Sequence, residues 1–152
     1  MTFNLQEIRM DITDGLYKCL GSGSGRQVFD LNNGYVVKAA KNKKGFAQNK
    51  VEHYISRNSR IDLLAEVVEV SEDYSLLIME KAQKISDIRD VWDYFRVKSN
   101  RELLEHRDIK KLYMQYRLLP RDLLRVCNWG RIGNFIVIID YGFTVEVRMK
   151  YY

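Results

Sequence analysis

The chain has 152 residues, of which 46% are hydrophobic, and carries a formal net charge of +5 at pH 7. A chain of this length fits one domain and is long enough to bury a core. It contains no signal-like segment and no apolar run long enough to cross a bilayer, so we expect a cytoplasmic protein without a membrane partner. Its two cysteines, Cys19 and Cys127, are too few for a disulfide framework, and we expect both to be free, buried thiols.

A glycine-rich segment is the first informative feature along the chain. Residues 20–29 are predicted to form a strand, a loop and a second strand, and the loop contains Gly21, Gly23 and Gly25. Glycine lets backbone N–H groups approach phosphate oxygens without a Cβ in the way. Gly-Ser turns that bind nothing are also common, so this segment alone leaves phosphate binding and a simple turn both open.

A lysine lies on the next predicted strand. Asn33-Gly34 is a hairpin signal, and it leads into a strand at 35–39. Because side chains alternate along a strand, Val36 and Lys38 share one face, where they could contact an adenine ring and phosphates. The alternative is a solvated lysine, since lysine is rarely buried.

The predicted helix 45–57 brings a glutamate close to that lysine. Its apolar residues recur at helical spacing, and Glu52 lies beside the apolar stripe. A Lys38–Glu52 pair would hold the ammonium group in place for anionic phosphates. Otherwise Glu52 is an ordinary acid on the helix surface.

The middle of the chain completes the set of predicted strands. Two apolar strands, 66–71 and 74–79, form a second hairpin and bring the number of strands to five. A helix capped by Ser86 follows, and a longer helix spans 101–118.

The longer helix lies in a basic segment. Residues 96–126 contain nine Lys or Arg and four Asp or Glu, an excess of five that equals the net charge of the whole chain. Arg107, Lys110, Lys111 and Arg117 fall outside the apolar stripe of the helix. A basic helical face can bind nucleic acid or another polyanion, although solvated basic faces are common.

An aspartate ends the last apolar run. Residues 136–139 are typical of a buried strand, and Asp140-Tyr141-Gly142 begins where that run stops. Asn128 offers a second side-chain oxygen. Mg²⁺ takes oxygen ligands and completes its octahedron with phosphate oxygens, so Asp140 and Asn128 are candidate metal ligands.

Taken in order, these features resemble the protein-kinase-like superfamily, and in particular small kinase-like proteins of bacteria and phages. The resemblance covers roughly residues 20–142. It implies a single α+β domain, with a five-stranded antiparallel N-lobe sheet plus one helix (about 1–82) and a much reduced helical C-lobe (83–152). The residues that carry it are Leu20-Gly21-x-Gly23, Val28, Val36-Val37-Lys38, Glu52, Leu76-Leu77-Ile78-Met79-Glu80, Asp122, Asn128 and Asp140-Tyr141-Gly142.

The resemblance also implies binding of ATP and Mg²⁺. Lys38, oriented by Glu52, would contact the phosphates. Asp122 would take the proton of the acceptor hydroxyl or orient the acceptor, and Asn128 and Asp140 would hold Mg²⁺. The remaining nucleotide-binding positions are Gly21, Gly23 and Gly25 at the phosphates, Val28 and Val36 at the adenine, and Met79, Glu80 and Ala82 beside the base.

Three departures from the family pattern stand out. The third glycine of the loop falls on Arg26. The catalytic loop reads Leu119-Pro120-Arg121-Asp122 instead of His-Arg-Asp, and five residues instead of four separate Asp122 from Asn128. Only Phe143–Tyr152 follow the Asp-Tyr-Gly turn, so the segments that dock peptides in the family are not expected here.

The expected function is therefore that of a minimal ATP- and Mg²⁺-dependent phosphotransferase that acts on a small-molecule or protein hydroxyl. Two alternatives stay open at this point. One is a pseudokinase or nucleotide-binding interaction protein without catalysis, and the other is a basic module that binds a polyanion or nucleic acid. A homo-oligomer is a further hypothesis, because a second subunit would supply some of the missing docking surface.

Overall fold

The computed structural model describes residues 2–59 and 62–152 and falls into two compact units. Unit 1 comprises the chain up to Arg57 together with Glu66–Lys81, and unit 2 comprises Asn58–Ala65 and Ala82–Tyr152. None of the helices in the two described ranges is long and apolar enough to span a membrane.

Unit 1 is built on a five-stranded antiparallel sheet, as predicted. The strand order is β1-β2-β3-β5-β4. The strands are β1 (Cys19–Ser22), β2 (Arg26–Asp30), β3 (Tyr35–Ala40), β4 (Val67–Val70) and β5 (Leu76–Glu80). Strand β5 begins two residues later than predicted because Asp73 holds the preceding turn. Its Oδ1 accepts hydrogen bonds from the backbone N of Ser75 at 3.0 Å and from the Ser75 hydroxyl at 2.7 Å.

The register of the sheet sorts its residues onto two faces. Val28 lies opposite Lys38, and Val36 lies opposite Met79. Since side chains alternate along each strand, these four side chains share one face, as the sequence pattern predicted for Val36 and Lys38. The opposite face forms an apolar core with Phe29, Leu31, Val37, Leu76 and Ile78.

A helix that the sequence analysis did not predict covers this apolar core. Helix α1 (Leu5–Thr13) begins after Asn4, whose Oδ1 accepts a hydrogen bond from the backbone N of Glu7 at 3.1 Å. Ile8 is buried against the core, and Leu5 and Ile12 pack beside it. The described part of unit 1 therefore has two helices rather than the predicted one.

The second helix of unit 1 connects β3 to β4. Helix α2 (Lys43–Asn58) begins two residues earlier than predicted because Asn42 caps it. The Oδ1 of Asn42 accepts hydrogen bonds from the backbone N of Lys44 at 3.0 Å and of Gly45 at 3.3 Å. Its buried residues include Asn49, Glu52 and Ile55.

Unit 2 combines a three-stranded antiparallel sheet with helices. The sheet order is β6-β7-β8. The strands are β6 (Gln83–Lys84), β7 (Trp129–Ile132) and β8 (Phe135–Ile138), and the helices are α3 (Ile88–Phe95), α4 (Asn100–Glu105), α5 (Arg107–Tyr116) and α6 (Val145–Tyr151). Two short 3-10 helices, Pro120–Leu124 and Val126–Asn128, lie between α5 and β7.

The helix predicted over 101–118 is two helices instead of one. His106 leaves the helical conformation with ψ near 131°, and its Nδ1 accepts a hydrogen bond from the backbone N of Asp108 at 3.3 Å. The imidazole thus caps α5, and the change of direction lets Leu103, Ile109 and Leu112 all be fully buried. The four basic residues predicted outside the apolar stripe are exposed.

Two smaller predictions were also wrong. Helix α3 is capped by Asp87 and not by Ser86, since the Oδ1 of Asp87 accepts a hydrogen bond from the backbone N of Arg89 at 2.9 Å. Both cysteines are free, as predicted, but exposed rather than buried. Cys19 lies on the edge strand β1, and Cys127 lies in the second 3-10 helix.

Candidate functional site

The predicted Lys38–Glu52 contact is present in unit 1. Lys38 Nζ lies 2.8 Å from Glu52 Oε1. Both residues are buried, with Lys38 5% exposed and Glu52 0% exposed. Lys38 is held on β3 and Glu52 on α2, so the pair joins the helix to the middle of the sheet. That this pair takes part in phosphate binding stays a prediction.

A second cation, which the sequence analysis did not assign to the site, shares the same carboxylate. Arg26 donates from Nη1 to Glu52 Oε1 at 2.8 Å and from Nη2 to Glu52 Oε2 at 2.9 Å. Nη1 also donates to Asn49 Oδ1 at 3.0 Å. The only sequence signal for Arg26 was that it occupies the position of the third glycine in the family loop. The sequence analysis noted this as a departure from the family pattern and gave Arg26 no role.

Asn49 completes what we call the buried polar network, which consists of Arg26, Lys38, Asn49 and Glu52. The Nδ2 of Asn49 donates to the backbone oxygen of Lys38 at 3.3 Å and of Tyr74 at 2.8 Å. Burial by itself raises the pKa of Glu52, but the charges and hydrogen bonds of Arg26 and Lys38 outweigh it and lower the pKa to about 2. Glu52 is therefore ionised at neutral pH.

The glycine-rich loop is tied to the segment that precedes α2. The backbone oxygens of Gly23 and Gly25 accept hydrogen bonds from Lys41, the first from Nζ at 2.6 Å and the second from the backbone N at 2.8 Å. The backbone oxygen of Ser24 accepts from Asn42 Nδ2 at 2.8 Å. Three successive carbonyl groups are thus held on one side of the loop, and the loop has a defined conformation.

The glycines of this region differ in the space around them. A Cβ at Gly45 would overlap the backbone oxygen of Gly25 and come within 2.8 Å of the Cα of Ala40. A Cβ at Gly25 would lie 2.8 Å from Gln48 Oε1. Gly21 and Gly23 have no atom within 4 Å of such a Cβ. Gly25 and Gly45 therefore serve close packing, and Gly21 and Gly23 leave room above the loop.

This difference predicts opposite results for two alanine substitutions. Gly45→Ala forces the helix and the loop apart, and we expect it to lower the free energy of unfolding by about 1–3 kcal/mol. Gly21→Ala meets no neighbour and is expected to change it by less than about 0.5 kcal/mol. Urea denaturation of both variants measures the difference. Equal stabilities would show that the close approach of Gly25 and Gly45 does not constrain the fold.

The predicted base-contacting segment is partly occupied by its own hydrogen bonds. The backbone N of Glu80 donates to the backbone oxygen of Glu66 at 3.0 Å, and that of Lys81 donates to Gly34 at 2.9 Å. Contact of Glu80 and Ala82 with a base stays a prediction. Met79 is buried and lies on the same sheet face as Lys38.

In unit 2, the structure brings Asp122, Asn128 and Asp140 together. Asp122 lies in the first 3-10 helix, and Asn128 ends the second. Asn128 Nδ2 donates to the backbone oxygen of Asp122 at 2.9 Å, and the backbone N of Ile139 donates to the backbone oxygen of Asn128 at 2.8 Å. The two 3-10 helices accommodate the one residue by which this chain exceeds the family spacing, and Asn128 contacts the loop that contains Asp122.

Two aromatic side chains hold this cluster in place. The hydroxyl of Tyr141 donates to the backbone oxygen of Ala65 at 2.7 Å, and Trp129 Nε1 donates to the backbone oxygen of Leu123 at 2.8 Å. Both aromatic residues are almost completely buried. Asp140 is therefore fixed by the backbone contact of Ile139 before it and by the anchored ring of Tyr141 after it.

The two carboxylates of the cluster interact electrostatically. Partial burial raises the pKa of Asp122, and the negative charge of Asp140 raises it further, while Arg125 and Arg148 act in the opposite direction. Asn128 links the two positions, because it contacts the backbone oxygen of Asp122 and the backbone N of Ile139, the residue before Asp140. A pair of this kind suits a cation that neutralises one carboxylate while the other handles a proton.

This coupling gives a test of the cluster geometry. Asp140→Asn removes the negative neighbour, so the pKa of Asp122 is expected to fall towards its ordinary value. Carboxyl ¹³C chemical shifts recorded across the acidic pH range measure it. The same titration on Asp93→Asn, which changes an exposed aspartate of α3, serves as the control. An unchanged pKa of Asp122 in Asp140→Asn would contradict the proximity.

The oxygen groups of the cluster fit Mg²⁺. Because the amide nitrogen of Asn128 donates to the backbone oxygen of Asp122, Oδ1 is the acceptor of the side chain, and it lies 3.8 Å from Cys127 Sγ. Asp140 offers a carboxylate. Oxygen ligands are those that Mg²⁺ prefers. Within the residues that the structure describes, no group of three or more His, Cys, Asp or Glu is arranged to hold a metal.

The topology of unit 1 decides the fold. An antiparallel sheet of order β1-β2-β3-β5-β4, with α2 between β3 and β4, brings a lysine of β3 to a glutamate of α2. Protein kinases pair these same two elements through lysine and glutamate. The fold is protein-kinase-like. Metal binding by Asp140 and Asn128 of unit 2 stays a prediction.

Comparison with known proteins gave matches to solved structures only. No protein-family model matches the sequence, and no curated protein matches it. The aminoglycoside phosphotransferase APH(2'')-IIa, in its ternary complex with streptomycin and ATP, is similar at 17% identity and a TM-score of 0.48, over 93% of this chain and 72% of that chain. The PknI kinase domain of Mycobacterium tuberculosis is similar at 17% identity and a TM-score of 0.49, over 84% of this chain and 60% of that chain. Similarity of this extent adds no argument to the topology, and the assignment of the kinase-like fold rests on the strands and α2.

Proposed function

We propose that the protein is an ATP- and Mg²⁺-dependent phosphotransferase that transfers a phosphoryl group to a hydroxyl of a small molecule or a protein. The observation that carries the proposal is the cluster of Asp122, Asn128 and Asp140. It combines a carboxylate of raised pKa, a second carboxylate and an oriented amide in one place. The buried Lys38–Glu52 pair supports it as the second element that kinase-like catalysis needs.

The nucleotide is assigned by chemistry to residues of unit 1 and to Ala82, the first residue after its last segment. Lys38 supplies a positive charge for the phosphates, and Glu52 keeps that ammonium group in one position. Gly21 and Gly23 have open space above the loop for phosphate oxygens. Further contacts are assigned to Gly25 in the loop, to Val28 and Val36 at the adenine, and to Met79, Glu80 and Ala82 at the base.

Mg²⁺ is assigned to Asp140 and Asn128, through a carboxylate oxygen and Oδ1. When bound, Mg²⁺ neutralises charge on the phosphate oxygens and orients them. The contacts of Ile139 and Tyr141 hold the backbone on both sides of Asp140 before any ligand arrives. Because this backbone is already ordered, binding of Mg²⁺ costs less conformational entropy.

Asp122 is assigned to the acceptor. Its carboxylate accepts the hydroxyl proton as the acceptor oxygen forms a bond to the γ-phosphorus of ATP. The bond from that phosphorus to the bridging oxygen of ADP breaks, and ADP leaves with the electron pair. A raised pKa brings an aspartate closer to the range in which it exchanges protons at physiological pH.

Transfer of the γ-phosphate tests the proposal directly. The protein is incubated with ATP labelled in the γ-phosphate and Mg²⁺, together with a panel of hydroxyl compounds and protein substrates. We expect label to move to an acceptor with Mg²⁺ and not when EDTA replaces it. Magnesium-dependent ATP binding without transfer to any acceptor or to water would favour the pseudokinase alternative and overturn the assignment of catalysis.

A further inference from the structure

The residue at the third glycine position of the loop has a structural reason to be an arginine. Arg26 is the first residue of β2 and lies directly after the glycine-rich loop, yet it is only 7% exposed. We propose that Arg26 is a positioning residue that couples the glycine-rich loop to the Lys38–Glu52 pair and keeps both ready for the phosphates of a nucleotide. The inference rests on the proposed function and adds a residue to which no role in it has been given.

Arg26 holds the carboxylate of Glu52 in one orientation. Its guanidinium binds both carboxylate oxygens at 2.8 and 2.9 Å, which is the bidentate geometry that fixes a carboxylate in orientation as well as position. Lys38 binds Oε1 of the same carboxylate. Rotation of the Glu52 side chain would therefore break three hydrogen bonds in a buried setting. The orientation of the lysine depends on the arginine through this shared oxygen.

Helix α2 is held against the rest of unit 1 at three points. Asn49 accepts from Arg26 and donates to the backbone of β3 and to the turn before β5. Near the end of the helix, the hydroxyl of Ser56 accepts a hydrogen bond from the backbone N of Val67 at 3.0 Å. At its beginning, Gly45 packs against the backbone of Gly25. The helix is thus held at its start, middle and end within unit 1.

Arg26 is also bound to the glycine-rich loop through its backbone. The backbone oxygen of Arg26 accepts a hydrogen bond from the backbone N of Gly23 at 2.9 Å, which closes the turn that contains the glycines. The carbonyl groups of that turn bind Lys41 and Asn42, just before α2. One residue therefore belongs to both the loop and the buried polar network. A displacement of Arg26 would move the loop and Glu52 together.

The consequence concerns how the site becomes competent. Protein kinases need the lysine–glutamate pair in place, and they are controlled by the position of the helix that carries the glutamate. In unit 1 a buried arginine of the same sheet, Arg26, holds the glutamate in contact with the lysine. We therefore expect Lys38 and the loop to be preorganised in the absence of ligand, without an activating event.

Hydrogen exchange of the ligand-free full chain tests the coupling. In Arg26→Met, amides of Gly23–Gly25 and of α2 near Asn49 and Glu52 are expected to exchange about tenfold faster or more. Arg57→Met, which changes an exposed arginine in the last turn of the same helix, is the control and should leave both segments unchanged. Faster exchange in the loop alone, in α2 alone or uniformly along the chain would overturn the coupling.

Ligand binding tests the consequence for the phosphates. Arg26→Met is expected to weaken ATP binding about tenfold or more and to change adenosine binding by less than about twofold, because only ATP contacts the elements that Arg26 positions. Arg26→Lys keeps the charge but not the bidentate fork, so its affinity for ATP should lie in between. Equal weakening of ATP and adenosine, or no change in either, would contradict a positioning role.

The two measurements separate the inference from the proposed function. If the wild type binds neither ATP nor adenosine, the proposed function fails, and the exchange data on the ligand-free protein still decide whether Arg26 couples the loop to α2. If Arg26→Met does not fold, Arg26→Lys takes its place in both measurements. Wild-type behaviour of Arg26→Lys in exchange and in ATP affinity would then refute the requirement for the fork.

Discussion

Replacement of Asp122 by asparagine is expected to reduce phosphoryl transfer by about 10²–10⁴-fold. Asparagine keeps the size of the side chain and leaves the backbone oxygen that binds Asn128 in place. It removes the carboxylate that accepts the acceptor proton. Because the contacts assigned to the nucleotide and to Mg²⁺ do not involve Asp122, the affinity for Mg²⁺-ATP should change by less than about threefold. Transfer rates and calorimetric affinities of the same preparation measure both effects.

The pH profile refines this expectation. Burial raises the pKa of Asp122, and the residue acts as a base only when it is ionised. The charge of Asp140 adds to this rise only while no cation is bound to that carboxylate. Transfer should therefore fall as the pH drops through a value above the ordinary pKa of an aspartate, and this limb should be absent in Asp122→Asn. The exposed Asp93→Asn serves as the matched control. A wild-type rate for Asp122→Asn would exclude Asp122 as the proton acceptor.

Replacement of Glu52 by alanine is expected to lower the free energy of unfolding by about 3–5 kcal/mol. The substitution removes the carboxylate that Arg26 and Lys38 share and leaves two buried cations without it. Glu72→Ala changes an exposed glutamate of the turn before β5 and is expected to cost less than about 0.5 kcal/mol. Urea denaturation of the two variants and the wild type measures the difference. Equal stabilities for Glu52→Ala and the wild type would show that the network does not stabilise unit 1.

The pH dependence of this contribution has a definite sign. The pKa of Glu52 in the folded protein is about 2, below its ordinary value, so the folded state favours the ionised form. The stabilisation is fully present above the ordinary pKa of glutamate and is lost as the pH falls from there towards 2. Glu52→Gln should therefore flatten the acidic part of the stability profile. An unchanged acidic slope in that variant would contradict the lowered pKa.

The sequence contained enough information to predict the sheet and the lysine–glutamate contact. Alternation along 35–39 placed Val36 and Lys38 on one face, and helical spacing placed Glu52 beside an apolar stripe. These are local periodicities, and a tertiary contact follows from them once the family order of elements is known. The approach of Asp140 to Asn128 was likewise predictable, because both were matched to oxygen ligands of one metal.

Contacts that depend on exact three-dimensional placement were not predicted. Arg26 lies 26 positions from Glu52, and nothing local distinguishes a buried arginine from an exposed one in a glycine loop. Helix α1 packs on the apolar face of the sheet. The need for this helix can be inferred only once the register of the sheet shows that this face would otherwise be exposed. The break at His106 depends on the imidazole accepting a backbone hydrogen bond, which apolar periodicity does not encode.

The central claim is that the protein binds ATP with Mg²⁺ held by Asp140, and calorimetric titration tests it most directly. ATP is titrated into the wild type and into Asp140→Ala, each with Mg²⁺ and with EDTA in its place. We predict Mg²⁺-dependent binding to the wild type that is lost in Asp140→Ala. Absence of ATP binding to the wild type under both conditions, or the same Mg²⁺ dependence in Asp140→Ala, would contradict the claim.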